Sequence, residues 1–90
     1  MKLEITRDHI KRARLNSCGY CAAALALADH FGLSPGTAYV DSSIVLVWPL
    51  EEQRPLRFQP SKSLNDFIRL FDTQGKLAVR PGRFILTRVQ

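Results

Sequence analysis

The sequence predicts an α+β fold in which two helices pack on one face of a mostly antiparallel sheet of four to five strands, in the order β-α-β-β-(β)-α-β. Three observations support this prediction. Apolar and polar residues alternate near both ends, two internal segments carry apolar residues at helical spacing, and the middle is rich in β-branched and aromatic residues. With 90 residues, 46% of them hydrophobic, the chain is predicted to form one domain over 1–90.

The first strand is predicted at Lys2–Thr6, where Leu3 and Ile5 fall on one face. Thr6 is a good N-cap, and it predicts a turn of helix that continues through Ile10. This places a short helical turn directly after the first strand.

The first long helix is predicted from about Cys18 to Phe31, because this segment is rich in alanine and leucine. Asn16 or Ser17 is the expected N-cap, and Gly32 is expected to end the helix. Under these bounds both cysteines lie on the first turn and a half of the helix.

Strands are predicted at Thr37–Val40 and Ile44–Trp48. The second is apolar on both faces, which is typical of a central strand. After a loop at Pro49–Arg54, the segment Pro55–Pro60 alternates and has a proline at each end, which favours an edge strand.

The second long helix is predicted to open at Ser63 and to close at Gly75, with an apolar stripe of Leu64, Phe67, Ile68 and Phe71. An extended segment at Lys76–Arg80 and a Pro81-Gly82 turn should follow. The last strand is predicted at Phe84–Val89, beside the first strand, so that the two ends of the chain lie together.

The net charge of +5 comes from 13 Lys and Arg against 8 Asp and Glu, and the positive residues gather near both ends of the chain. If the ends are adjacent, they form one basic face that attracts nucleic acid or an acidic protein surface. Surface charge that serves solubility alone is the alternative. The residues assigned to this face are Arg7, Lys11, Arg12, Arg14, Arg80, Arg83 and Arg88.

Cys18-Gly19-Tyr20-Cys21 admits three interpretations. As a redox pair it resembles the motif of thioredoxins and glutaredoxins, with Cys18 as nucleophile and Cys21 as resolving thiol. That family places the motif directly after a buried strand, which this chain does not. Zinc would need His9 and His30 as well, and His30 lies roughly 13 Å from Cys21 along the predicted helix. The interpretation we favour is structural, with Cys21 packed in the core.

Other chemical groups are few. Asp29–His30 is a candidate acid-base pair, but consecutive helical residues point about 100° apart. Glu51–Glu52 has no metal-binding companion. Trp48, Tyr39 or Phe58 would suit stacking on a nucleic-acid base if the sheet exposes them, although an aromatic residue in a strand is more often part of the core. We therefore expect no catalytic residue, no metal and no cofactor.

The longest apolar run, Ala22–Ala28, is far shorter than the roughly 20 residues that cross a bilayer, and the first residues do not resemble a signal peptide. These features predict a cytoplasmic protein without a membrane partner, with reduced cysteines. We expect a monomer or a small homo-oligomer.

Three segments together resemble a group of small, mostly uncharacterised proteins of bacteriophages and prophages: Ile5–Ile10, Cys18–Cys21 and Phe67–Gly75. The group has no activity that can be carried over residue by residue. The resemblance implies a phage setting, in which compact proteins bind and disable host defence complexes, anti-CRISPR proteins among them.

The sequence and this resemblance lead to one functional prediction. The protein is expected to be a small phage-encoded inhibitor that binds a host protein or ribonucleoprotein stoichiometrically, with a CRISPR effector as the suspected target, in the cytoplasm of a bacterial host. Direct contact with nucleic acid is compatible with this. The alternatives are a nucleic-acid-binding regulator and a thioredoxin-like thiol-disulfide protein that uses Cys18 and Cys21.

Overall fold

A computed structural model describes residues 1–50 and 54–89, so the predicted carboxylate pair Glu51–Glu52 lies outside the described residues. The elements in chain order are β1 (Lys2–Ile5), α1 (Arg7–Arg12), α2 (Ala22–His30), β2 (Ala38–Val40), β3 (Val45–Val47), β4 (Leu56–Pro60), α3 (Lys62–Gln74), a 3-10 turn (Lys76–Ala78) and β5 (Gly82–Val89).

All strand pairs are antiparallel, and the strands form one five-stranded sheet in the order β1-β5-β4-β3-β2. The predicted α+β class is confirmed. The predicted pairing of the terminal strands is also confirmed, with Lys2 opposite Ile85. Met1 extends this pairing, because its amino group donates to the Leu86 carbonyl over 2.6 Å and its carbonyl accepts from the Leu86 N–H over 2.9 Å. The two ends of the chain therefore lie side by side.

Helix α2 forms the centre of the molecule. It contacts both edge strands, β1 and β2, as well as α1, so the sheet curls around it. Every residue from Ala22 to Ala28 is buried. The alanines of this segment let backbone elements approach on all sides of the helix, which explains why it shows no apolar stripe.

Helix α3 packs its apolar stripe on β5. Leu64, Phe67 and Phe71 are buried, and the Phe67 ring meets Phe84 edge-on with 5.2 Å between centroids. Its N-cap is Ser61, whose hydroxyl accepts the Leu64 N–H, so the predicted start at Ser63 is two residues late. Gly75 ends the helix as predicted, at φ 90°.

The predicted start of the first long helix at Cys18 is wrong, since α2 begins at Ala22 and its N-cap is Cys21. The two expected caps have other roles. Asn16 has a left-handed backbone (φ 55°), and the Ser17 hydroxyl accepts the Tyr20 N–H over 3.1 Å. Both polar residues shape the turn that precedes the helix, and Cys18 lies in that turn.

Strand β4 is an interior strand rather than the predicted edge strand, because β3 pairs with it on one side and β5 on the other. Its proline is accommodated by register. The Ser61 N–H donates to the Ile85 carbonyl on β5, so the nitrogen of the preceding residue, Pro60, points the other way, towards β3. The pairing of β4 with β3 ends at Phe58 opposite Val45, so no ladder hydrogen bond is lost at Pro60. Lys76–Ala78, predicted as extended, is a 3-10 turn.

Candidate binding face

Successive residues of a strand point to opposite faces of a sheet, so each strand here has one set of side chains turned away from α2 and α3. We call this side the outer face. The buried residues of β1, β2, β3 and β4 lie on the opposite, inner face. The register places on the outer face Lys2, Glu4, Tyr39, Leu46, Arg57, Gln59, Arg83, Ile85, Thr87 and Val89.

Trp48 also belongs to the outer face. Its N–H donates to the Thr37 carbonyl over 3.0 Å, which continues the β2–β3 ladder by one pair. The preceding residue, Val47, is fully buried, so the alternation turns Trp48 outward.

Large apolar side chains remain accessible on this face. Trp48 is 44% exposed, Ile85 50%, Val89 38% and Tyr39 37%. Among the described residues, therefore, these side chains are left partly accessible to solvent. An exposed group of this kind on a small domain is characteristic of a surface that binds a partner.

Four of these residues form a compact group, the Trp48 cluster: Tyr39, Leu46, Trp48 and Arg57. Leu46 lies in the centre, directly opposite Tyr39 on β2 and Arg57 on β4. With neighbouring strands about 4.8 Å apart, Tyr39 and Arg57 are separated by about 10 Å across the sheet. Trp48 is two residues beyond Leu46, at about 7 Å. Tryptophan, tyrosine and arginine are the residue types most enriched among the energetically dominant residues of interfaces.

The side chain of Tyr39 is fixed by its neighbours. Its hydroxyl donates to Asp41 over 3.0 Å. Hydrogen bonding with Cys18, followed by the bond to Asp41, raises the pKa of Tyr39 to about 12, so the ring stays neutral at physiological pH. Partial burial would raise the pKa of Asp41, but hydrogen bonds from Ile44 and Ser43 outweigh it and lower the pKa. The carboxylate therefore stays charged and holds the tyrosine in place.

Phe58, the third aromatic side chain considered for base stacking, does not reach this face. It is 4% exposed and lies on the inner face, where the Arg88 guanidinium sits 5.9 Å from its ring centroid. The condition for stacking, exposure on the sheet, is therefore not met at Phe58, which takes the core position expected of most strand aromatics, and the register places Arg57 on the outer face instead.

The seven predicted basic residues fall in different places. Only Arg83 points from the outer face, where it lies 3.6 Å from Glu4. Arg7, Lys11 and Arg12 are on α1, which packs on α2 at the helical side. On the helical side, α1 contacts the 3-10 turn, because the Lys76 amine donates to the Lys11 carbonyl over 2.6 Å. The Lys76–Lys11 contact lies on the helical side, whereas Arg83 lies on the outer face, so the seven residues do not all share one face.

Several of these cations already have partners. Arg12 contacts Asp8 at 2.8 Å and Asp29 at 3.4 Å, and the Arg14 guanidinium lies 4.9 Å from the centroid of the Tyr20 ring. Arg7 and Arg80 are exposed. Arg57, which the sequence did not single out, is the central cation of the outer face. Its signal in the sequence is the alternation of Leu56, Arg57, Phe58 and Gln59.

The cysteine turn has a structural role on both sides. The Cys18 carbonyl accepts the Val40 N–H over 2.9 Å, so the turn covers the free edge of β2. The Cys21 sulfur accepts the Ala24 N–H over 3.4 Å and caps α2. Burial raises the pKa of Cys21 to about 11, which keeps this thiol protonated at neutral pH. In a redox motif the exposed cysteine lies on the first turn of the helix. Cys18 is exposed but lies three residues before the N-cap of α2, so it does not take that position.

A cavity of about 440 Å³ separates the cysteine turn from α3. Cys18, Cys21, Asn65 and Asp72 are among its lining residues. Asp72 anchors the turn to α3, since its carboxylate accepts the Asn16 N–H over 3.0 Å. The amide oxygen of Asn65 is buried and has no hydrogen-bond partner among the described residues.

Asp29, considered above with His30, pairs instead with His9, whose Nε2 lies 2.6 Å from the carboxylate. Thr6 completes a line of three polar groups, with its hydroxyl 3.1 Å from His9 Nδ1. These three groups cap the N-terminus of α1 and do not form a catalytic triad. Nδ1 accepts the Thr6 N–H, and the Thr6 hydroxyl accepts the His9 N–H, so Nδ1 has no lone pair left to act as a base.

Within residues 1–50 and 54–89, no group of three or more His, Cys, Asp or Glu side chains is placed to hold a metal ion. No helix in the same residues has the length and apolar character needed to span a membrane.

Comparison with known proteins gives no match for this chain: no protein-family model, no curated protein sequence and no solved structure is significantly similar to it.

Proposed function

We propose that this protein acts by stoichiometric binding and that the outer face, centred on the Trp48 cluster, is its binding surface. The observation that carries the proposal is the open side of the sheet. One side packs on the helices, while the other presents Tyr39, Trp48 and Arg57 together, with further apolar contact area at Ile85.

The size of the molecule is sufficient for such a role. Its accessible surface is 5717 Å², and a standard interface takes about 800 Å² from each partner, or roughly one seventh of this surface. A few anchors hold an interface of this size, and aromatic and arginine side chains are the usual ones. The net positive charge of the protein would increase the rate of association with an acidic partner.

The setting follows from the phage resemblance. We place the protein in the cytoplasm of a bacterial host, as an inhibitor of a host defence complex, and a CRISPR effector is the first complex to test. A net charge of +5 supports contact with an acidic protein surface or with the guide RNA of such an effector. It argues against mimicry of DNA by surface carboxylates.

The experiment is co-elution with purified CRISPR effector complexes, using the wild-type protein, Trp48→Ala and Leu77→Ala. Leu77 is 102% exposed and lies on the 3-10 turn, away from the outer face, so its variant is a matched loss of an exposed apolar side chain. We expect wild type and Leu77→Ala to co-elute at a fixed ratio and Trp48→Ala to dissociate. Equal binding by all three would refute the assignment of the surface.

A further inference from the structure

We propose that the outer face binds single-stranded nucleic acid, with bases stacked on Trp48 and Tyr39 and phosphates held by Arg57, Arg83 and Lys2. This inference rests on the proposed function, because it names the class of partner for the same surface. The nucleic acid could be free or part of a ribonucleoprotein, since the chemistry of recognition is the same.

The aromatic side chains supply the stacking surface. Trp48 and Tyr39 lie on neighbouring strands, on the same face and two register pairs apart. Both rings are more than one third exposed, at 44% and 37%. Aromatic side chains spaced along an open sheet are the usual platform for unpaired bases, because every base presents a π-face and stacking needs no particular sequence.

The cations lie on the path that leads from these rings across the sheet. Arg57 is two strands from Tyr39, in the same register row. Lys2 and Arg83 lie outside this row. Arg57 is opposite Val89 on β5, whereas Lys2 is opposite Ile85, so Lys2 and Arg83 are displaced along β5 by four and six residues, about 13 and 20 Å. Against these three cations, two acidic side chains lie on this face: Glu4, which is 3.6 Å from Arg83, and Asp41, which accepts the Tyr39 hydroxyl. The outer face therefore combines rings at one end with net positive charge that begins at Arg57 and extends along β5 and β1.

The shape of the surface favours a single strand over a duplex. The bases of a duplex are stacked on each other, and reading them takes an element that enters a groove. The outer face has no projecting helix among the described residues, because α1, α2 and α3 belong to the opposite side. A sheet instead offers side chains to bases that are already unstacked.

The chain contains a single tryptophan, so its fluorescence reports on this site alone. We expect 12-nucleotide oligo-uridine and oligo-thymidine to quench Trp48 emission in a saturable titration, and a 12-base-pair duplex and poly-glutamate to cause little quenching. The RNA and DNA strands also show whether the 2′-hydroxyl matters. Saturable quenching by poly-glutamate but not by either single strand would overturn the proposal in favour of an acidic protein.

Charge-matched variants locate the phosphates. Arg57→Gln and Arg7→Gln change net charge equally, but Arg7 is an exposed residue of α1 on the helical side. With three phosphate contacts, the log-log slope of affinity against salt should be about −2, and Arg57→Gln should bring it to about −1.4. Arg7→Gln should leave it unchanged. Equal effects of the two variants would mean that charge acts without a site, and would reject the proposal.

Removing a ring completes the test. Tyr39→Ala should weaken binding of the single strands by roughly 5- to 150-fold while leaving Trp48 as the probe, and Leu77→Ala should not change it. If effector binding depends on Trp48 but neither single strand binds, the proposed function stands and this inference falls. If Trp48→Ala leaves effector binding intact and Tyr39→Ala weakens strand binding no more than Leu77→Ala, both fall.

Discussion

The imidazole of His9 joins the first two helices, since its Nε2 donates to the Asp29 carboxylate over 2.6 Å while its Nδ1 accepts the Thr6 N–H over 3.0 Å. One ring thus closes the N-terminus of α1 and ties this helix to the end of α2. Acceptance at Nδ1 fixes the ring proton on Nε2. A histidine at the third helical position performs here the task that glutamate or glutamine performs in a capping box.

His9→Ala should lower the free energy of unfolding by about 1 to 3 kcal/mol, because it removes the cap bond and leaves the buried end of α1 without its partner. His9→Gln should recover part of the loss, since glutamine restores the capping box but not the contact with Asp29. Urea unfolding followed by circular dichroism measures both. The matched control is His30→Ala, an exposed residue, which should stay within about 0.5 kcal/mol of wild type. Equal losses at the two histidines would contradict the role of His9.

Cys18→Ser should leave stability within about 0.5 kcal/mol of wild type and leave binding unchanged. Serine keeps both interactions of Cys18: the backbone carbonyl that accepts the Val40 N–H, and a side-chain group that can hydrogen-bond the Tyr39 hydroxyl. Chemical unfolding and the co-elution assay measure the two properties. A disulfide reductase activity of the wild type that disappears in Cys18→Ser would replace the structural role with an oxidoreductase.

Much of this fold is predictable because its signals are local. The pairing of β1 with β5 follows from two alternating segments whose inner residues, such as Leu3 and Leu86, must share one core. The stripe of α3 has helical period and is buried as that period predicts. The start of α2 is different. Serine and asparagine outrank cysteine as caps, so the sequence favours Ser17, and only the tertiary position of the turn shows that Cys21 takes this place.

The composition of the outer face, the proposed binding surface, was predictable in part. Tyr39 and Trp48 are recognisable as candidates for stacking, but the choice between them and Phe58 depends on which face of the sheet the helices cover. Alternation gives two sets of residues per strand without saying which set is inside. Arg57 was missed because the middle of the chain is nearly neutral, and a single arginine gains its importance only from its register beside Leu46.

Cys21 should make stability depend on alkaline pH. Burial raises the pKa of this thiol from 9.0 to about 11, so between these values the folded protein keeps a proton that the unfolded chain releases. The contribution of the protonated thiol to the free energy of unfolding is fully present below pH 9 and is lost as the pH rises towards 11. The total loss is about 2 to 3 kcal/mol.

The comparison that isolates this effect is with Cys21→Ser, because serine does not titrate in this range and its hydroxyl can accept the Ala24 N–H in place of sulfur. Between about pH 8 and about pH 10.5, the free energy of unfolding should decrease more for wild type than for Cys21→Ser. Parallel curves would mean that the Cys21 thiol titrates alike in the folded and unfolded states.

Gly36 holds the turn before β2 against the cysteine turn. Its φ is +94°, and a Cβ placed on it would lie 2.7 Å from the Tyr20 hydroxyl oxygen. Gly36→Ala should therefore combine backbone strain with a clash and lower stability by about 1 to 3 kcal/mol in thermal or urea unfolding. Gly32→Ala is the control, because Gly32 also has a positive φ, +68°, but nothing within 4 Å of the added carbon, and strain alone should cost about 1 kcal/mol.

Tyr20→Phe in the Gly36→Ala background tests the contact itself. Removing the hydroxyl relieves the closest approach and leaves a ring carbon at 3.3 Å, so part of the lost stability should return. The same substitution combined with Gly32→Ala should bring no recovery. Since Tyr20 lies between the two thiols, recovery that is specific to Gly36 would establish in solution that the cysteine turn lies against the turn before β2. Absence of that specificity would mean that the Tyr20 hydroxyl does not limit packing at Gly36 in solution.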